Sequence, residues 1–542
     1  MELVSCPTKS LPIAIDWVTC SSTFMQSSLI GFSRGEMTNE CFQAVNPKNG
    51  QALPDLYVKA SLDDVEKACR LAKKASLELG QLDGKRKSSF LIELAQQVES
   101  LEEEVVSTMS SETGLPEARV RAETMRTCGQ LRMFAKLVAV GDWVDARIDR
   151  AQPNRKPLPK PDMRSMLRPI GPIAVFCASN FPLAFSVAGG DSASAWAAGC
   201  PVIVKAHHAH PGTALLIGQA VVRAIKKWGL PEGSFSLIFG DGKKVGRSLA
   251  QNSCIQAIGF TGSRSGGQAL FDLANAREDP IPVFAEMSSV NPLFVFPGMS
   301  DQGIEEFSDG LTTSVTLGVG QFCTNPGIVF YPRGKIGNKF ISSFSEKMKA
   351  FVPSPMLHEG IRKAYCEGFD DLASSSEVEI IYKKEPSEAV GVYAGAGILA
   401  TTIEFFKRKT SLWNEVFGPS TLLVSYQEVD ELLEIAKDMD GQLTASLFGN
   451  SSDLDSYSDL VLCLETKVGR LLFNEFPTGV EVCRSIVHGG PFPATTDGRS
   501  TSVGEGAILR FARPVCYQGF PDDLLPMELR EDNPLGLKRS EN

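Results

Sequence analysis

Past Arg168 the chain alternates short apolar runs with stretches of helix length, and this rhythm limits the fold more than any other feature. The runs are Ile173 to Ala178, Val202 to Lys205, Ser236 to Phe239, Ile255 to Phe260 and Ile281 to Phe284. Strands separated by helices predict right-handed crossovers and a parallel sheet covered on both faces. Such a sheet binds ligands beyond the carboxyl ends of its strands. The fold class expected is α/β.

Upstream, the pattern is helical. Ser61 to Gly80 reads as an amphipathic helix with Ser61 and Asp64 as a capping pair and Val65, Ala68, Cys69 and Ala72 on one face. A second helix is expected from about Ser88 to Ser107, with Glu99, Glu102, Glu103 and Glu104 facing water. A third runs from about Pro116 to Val140. Val144 to Arg150 then alternates, and Gln152 to Pro161 holds four prolines, which suits an edge hairpin or an extended connection.

Composition excludes several classes. The 542 residues are 43% apolar, more than one ordinary domain needs, and the net charge of -10 offers no basic face for nucleic acid. Ile170 to Val204 is the most apolar stretch. Asn180, Pro182, Asp191 and Pro201 interrupt it, so no membrane-spanning helix of roughly 20 residues is expected. Residues 1–24 lack a basic start and a small-residue cleavage site and read as a poorly ordered extension rather than a signal peptide. Thirteen cysteines without CxxC or Cys/His ligand spacing point to reduced thiols and to no metal site.

Four segments carry chemistry. Gly318-Val319-Gly320-Gln321-Phe322-Cys323-Thr324-Asn325-Pro326 presents a thiol on a glycine-rich loop. Phe284-Ala285-Glu286-Met287-Ser288-Ser289 sets a carboxylate just past a strand, and Ala178-Ser179-Asn180-Phe181-Pro182 sets an amide past another. Gly259-Phe260-Thr261-Gly262-Ser263 runs from a strand into a turn and a helix, a junction suited to pyrophosphate. Singly, each also fits a structural role: a packed thiol, an ion-paired glutamate, a helix cap. Gly240, Gly242 and Gly246 lack the final spacing of the dinucleotide fingerprint.

In their order, these pieces resemble the aldehyde dehydrogenase superfamily. The strand ending at Lys205 and Asn414-Glu415-Val416-Phe417-Gly418-Pro419 add to the likeness, which covers about Met25 to the C-terminus. The closest look is to the alpha-ketoglutaric semialdehyde (2,5-dioxovalerate) dehydrogenases and their NADP-dependent fatty-aldehyde relatives. That likeness rests on Glu286-Met287-Ser288-Ser289, on Lys205 to Thr213, on Phe473 to Val482 and on His488-Gly489-Gly490-Pro491-Phe492-Pro493-Ala494-Thr495.

The resemblance implies a Rossmann-type cofactor-binding domain over about 25–141 and 166–288 and a catalytic domain over 289–500. It further implies an oligomerisation hairpin in 142–165 with a tail from 501 to 542. It implies Cys323 as nucleophile, Glu286 as general base and Asn180 as oxyanion donor. It places Lys205, Ser263, Glu415 and Phe417 at the dinucleotide.

His208 stands where NAD-preferring relatives often carry glutamate. With Lys205, and with Lys243 and Gly246 in the Gly240 to Gly246 turn, it would greet a 2'-phosphate, so NADP or NAD is the expected cofactor. A surface histidine without cofactor contact is the other reading of His208. A diacid semialdehyde would need a buried cation, for which Arg484 is the candidate, with a surface arginine as the alternative.

The expected reaction is NAD(P)-dependent oxidation of an aldehyde to an acid, with 2-oxoglutarate semialdehyde as substrate. The alternatives are a fatty or general aldehyde oxidiser and a catalytically silent structural protein. A cytoplasmic homo-oligomer, dimer or tetramer, is expected.

Overall fold

The computed structural model describes residues 25–386 and 390–542; the extension expected over 1–24 lies outside them. Three of the five sheets among the described residues organise the chain. The first is seven-stranded, in the order Val283–Glu286, Ala257–Thr261, Ile173–Phe176, Val202–Lys205, Phe235–Ile238, Leu29–Ile30 and Ser33–Arg34. Its first five strands are parallel, and Leu29–Ile30 pairs antiparallel with Phe235–Ile238. Strand order reverses between Ile173–Phe176 and Ala257–Thr261, which opens a crevice beyond their carboxyl ends.

All five expected strands are present. Their limits shift by up to two residues, because pairing with the neighbouring strands rather than apolar character sets where each begins and ends.

The helices upstream follow their apolar faces. Leu62–Leu79 is capped by the Ser61 hydroxyl, which accepts from the Asp64 amide; the Asp64 carboxylate turns away and accepts from the Glu36 amide. The second expected helix is two, Gly84–Glu99 and Glu102–Thr113. The chain breaks at Ser100 and Leu101 so that the second piece can lay Val105 and Met109 into the same core, which a straight continuation would not allow. Glu117–Val140 follows, with Pro116 at its N-cap.

The second sheet runs Glu379–Lys383, Gly397–Thr402, Ser420–Tyr426, Ile328–Pro332, Leu293–Val295, Gln442–Phe448 and Val468–Phe473, parallel except at the first pair. A third, of four strands, joins Ala512–Gln518, Met163–Pro169, Arg147–Asp149 and Ser540–Glu541. The strand Met163–Pro169 continues through the expected boundary at 165, since Ala512 pairs with Pro169 and holds the whole strand in the third sheet. Residues 494–496 likewise return to the first sheet: the Ala494 carbonyl accepts from the Met287 amide and the Thr496 hydroxyl from the Ala285 amide.

Candidate active site

Glu286 ends the edge strand of the first sheet, in register with Thr261, and its carbonyl accepts from the Gly262 amide. Glu286 and the Thr261-Gly262-Ser263 turn are thereby built as one unit. The returning chain near Ala494 delivers His488 to the same place. Oε1 of Glu286 lies 3.0 Å from Nε2 of His488, and Oε2 accepts from the Ser502 hydroxyl at 2.8 Å.

The Cys323 loop reaches this pair from the second sheet. Gly318, Val319 and Gly320 take left-handed backbone angles, φ +56°, +59° and +67°. Such angles strain a branched residue such as Val319, and the surroundings hold it. A side chain at Gly320 would meet the Gly418 carbonyl at 2.1 Å, so this glycine is what lets the loop press against the Phe417-Gly418-Pro419 turn. Gln321 clamps the loop, donating to the Gly318 carbonyl at 3.0 Å and accepting from the Leu357 amide at 3.0 Å.

Cys323 Sγ then rests 3.4 Å from Nε2 of His488. Burial pushes its thiol well above the ordinary value, and the Glu286 charge adds to the shift. Burial also works to raise Glu286, but His488, Ser502 and the thiol outweigh it and hold the carboxyl below its ordinary value. Oε1 of Glu286 is buried without an aligned donor. An open acceptor beside a nucleophile suits proton removal.

Asn180 Nδ2 donates to the Gln321 carbonyl at 3.1 Å, which fixes the amide and uses one of its two hydrogens. The other is available to an oxyanion at sulfur. Among the described residues no protein acceptor takes the Cys323 amide. Asn291 braces the loop from beneath, donating to the Cys323 and Asn325 carbonyls, both at 2.9 Å.

At the switch point, Ser263 caps the helix Arg264–Asn275, its hydroxyl accepting from the Gly266 amide and its carbonyl from the Gly267 amide. The Arg264 and Ser265 amides have no protein acceptor among the described residues, which suits a pyrophosphate. Lys205 ends its strand, half-buried and without an ion pair among the described residues. Gly246 is buried in a turn over Gly242–Gly246, and Lys243 on that turn is exposed.

Two features alter the expected charge. Asp241 caps this turn, accepting from the Lys244 amide at 2.7 Å, and places a carboxylate there. The ring of His208 is exposed on one side, but desolvation by the groups packed around it and the charge of Lys205 hold it below its ordinary value, so it is a neutral hydrogen-bonding group rather than a cation at neutral pH. The groups present fit a dinucleotide.

Glu415 lies across the crevice, raised to about 7 by burial against hydrogen bonds from Ser288 and Ser289. Phe417 follows it on the turn touching the nucleophile loop. Two donor groups could hold a metal: His207, His208 and His358, and Glu286, Cys323 and His488, each set within 4.8 Å of one another.

Residues 34–490 match the aldehyde dehydrogenase family. The chain belongs to the aldehyde dehydrogenase family.

An alpha-ketoglutaric semialdehyde dehydrogenase of Azospirillum brasilense is 45% identical over 92% of this chain and 95% of its own length. A second of that name, from Acinetobacter baylyi, is 43% identical over the same shares. Among solved structures, a lactaldehyde dehydrogenase aligns with a TM-score of 0.79 at 18% identity, covering 92% of this chain and 99% of its own. Betaine aldehyde dehydrogenase of Staphylococcus aureus, solved with NAD+, aligns at 0.78 and 18%, covering 92% and 95%. As a member of this family the enzyme oxidises an aldehyde to an acid with NAD or NADP. Among the described residues no helix is long and apolar enough to cross a membrane.

One expectation for this aldehyde dehydrogenase is corrected. Arg484 does not enter the site; its side chain is 88% exposed and turns to Glu505 at 3.8 Å. The loop after Pro477 passes over the surface there, so the cation follows water rather than the tunnel. His488 and Ser502 received no role from the sequence. The available signal for His488 was its rarity, one of five histidines, within His488-Gly489-Gly490.

Proposed function

We propose that this enzyme oxidises 2-oxoglutarate semialdehyde to 2-oxoglutarate, with Cys323, His488 and Glu286 as one proton-handling unit. The observation that carries the unit is His488 Nε2, 3.4 Å from the Cys323 sulfur and 3.0 Å from the Glu286 carboxylate. The thiol's own surroundings oppose ionisation, so a neighbouring acceptor decides how much thiolate forms. His488 takes that proton and Glu286 offsets the charge gained.

Thiolate attack on the aldehyde carbon then places negative charge on oxygen, where the free Asn180 N-H and the Cys323 amide receive it. A bound dinucleotide supplies the hydride acceptor that turns this adduct into a thioester. Glu286 draws a proton from the water that hydrolyses the thioester, and the product leaves as the free acid.

The substrate reading is supported by the names of the two relatives at 43% and 45% identity. An apolar wall of Phe181, Phe185, Phe322, Val480, Val482 and Ile486 favours a second reading, a general or fatty aldehyde. Steady-state rates with 2-oxoglutarate semialdehyde, succinate semialdehyde and decanal, each with NAD and NADP, separate them. A higher kcat/KM for decanal would remove the first reading.

For the cofactor, the Ser263 helix holds the pyrophosphate, Lys205 and His208 the adenosine ribose, and Glu415 and Phe417 the nicotinamide end. Lys243 and Gly246 form the neighbouring wall. NADP is accepted, with Lys205 as the cation nearest its 2'-phosphate. In this reading the first sheet and the helices before it bind cofactor, and the second sheet carries the nucleophile. Self-association through the third sheet is supported by Leu158, Phe520 and Leu524, exposed at 69%, 50% and 67%; sedimentation measures it.

A further inference from the structure

Arg126 lies on the helix Glu117–Val140, and its guanidinium has no hydrogen bond or ion pair among the described residues. Its Nε is fully shielded from water and unpartnered. Arg119, on the same face, pairs with Glu123 at 3.3 Å, and the other oxygen of Glu123 is taken by the Leu183 and Ala184 amides at 2.9 and 3.0 Å. Arg119 and Arg126 thus share the one carboxylate of Glu123, and the group of three carries a surplus positive charge. Holding such a charge without a partner is unfavourable unless a ligand completes it.

The location says which ligand. The Arg126 guanidinium stacks 5.6 Å from the Phe181 ring and 5.8 Å from Phe185. Phe181 meets Phe322, next to the nucleophile, at 5.4 Å, and Phe185 meets the His488 ring at 6.2 Å. One aromatic ring thus separates Arg126 from each neighbour of the Cys323 sulfur.

Arg470 is the other partly buried arginine close enough to feel the Cys323 charge. Its terminal nitrogens are occupied by the Pro477 and Gly479 carbonyls, so it staples a loop.

We propose that Arg126, flanked by Arg119, receives the carboxylate of an anionic aldehyde whose reacting end lies at Cys323. The guanidinium pairs with the carboxylate through two parallel N-H donors, and the phenylalanine walls exclude water from the pair. This rests on Cys323 being the nucleophile. It makes the enzyme selective for short semialdehydes bearing an acid over neutral aldehydes of the same length.

The test compares kcat/KM for 2-oxoglutarate semialdehyde, succinate semialdehyde and pentanal in the wild type, Arg126→Gln and Arg126→Lys, with saturating cofactor. In Arg126→Gln the ratio of anionic to neutral aldehyde should fall about 10- to 100-fold, chiefly through KM, the effect of losing a charge-assisted pair. Arg126→Lys should recover part of it. An equal loss for all three aldehydes assigns Arg126 a structural role and overturns the proposal, as does an unchanged ratio. If succinate semialdehyde proves the better substrate and still depends on Arg126, the subsite stands while the assignment of 2-oxoglutarate semialdehyde fails.

Discussion

Glu286 Oε1 and His488 Nε2 stand 3.0 Å apart with both side chains 2% exposed, joining a strand end of the first sheet to a chain segment more than 200 residues later. Both residues support thiol activation, but their largest effects should fall on different steps. Glu286→Gln keeps the shape and removes the base, so rapid mixing should show a burst of reduced cofactor followed by turnover slowed about 10²- to 10⁴-fold. His488→Gln should slow the burst itself, because the thiol loses its proton acceptor. A burst of wild-type rate in that variant would remove His488 from thiol activation.

Asn180 is held by the Gln321 carbonyl with one hydrogen left over. Asn180→Ala should lower kcat by about 10²- to 10³-fold, the usual effect of losing one oxyanion donor. The dinucleotide dissociation constant, read by fluorescence titration, should stay within twofold or so of wild type if the amide acts only at the reacting oxygen.

Glu415 is held near 7 by burial, above its ordinary 4.5. Its ionised form is the better acceptor for ribose hydroxyls and gains ground as pH rises through that value. The cofactor KM should therefore fall from about pH 6 to about pH 8, and Glu415→Gln should flatten this dependence. For stability the sign is opposite: the contribution present below 4.5 is lost as pH rises through about 7. A cofactor KM independent of pH in the wild type would sink the assignment.

Asp191 and Arg510 form a buried pair at 2.7 Å, with side chains 9% and 2% exposed, tying the helix Gly190–Ala198 to the tail. Removing one partner strands a charge and costs about 3–5 kcal/mol. Arg510→Met should lower the thermal unfolding midpoint, and Asp191→Asn added to it should recover part of the loss. Equal midpoints for the single variant and the wild type would show that the pair carries no stability.

What the sequence determined by itself was whatever depends on neighbours along the chain. The alternation past Arg168 dictated a parallel sheet, because strands joined through helices have few other ways to bury both faces. The glycines before Cys323 dictated a loop of unusual backbone angles, and Ser61 and Ser263 dictated helix starts. The break at Ser100 escaped notice because the apolar spacing runs through it, and only the shared core forces the helix to turn.

Tertiary structure alone decided the rest, since charges are assigned by what faces them in space. Asp241 and the neutral ring of His208 reset the cofactor crevice. Arg484, 161 residues after Cys323 in the chain, turned to water, whereas Arg126, on a helix far earlier, came to rest against the rings beside the sulfur. A guanidinium has no periodicity or spacing to betray its partner; only folding shows what it faces.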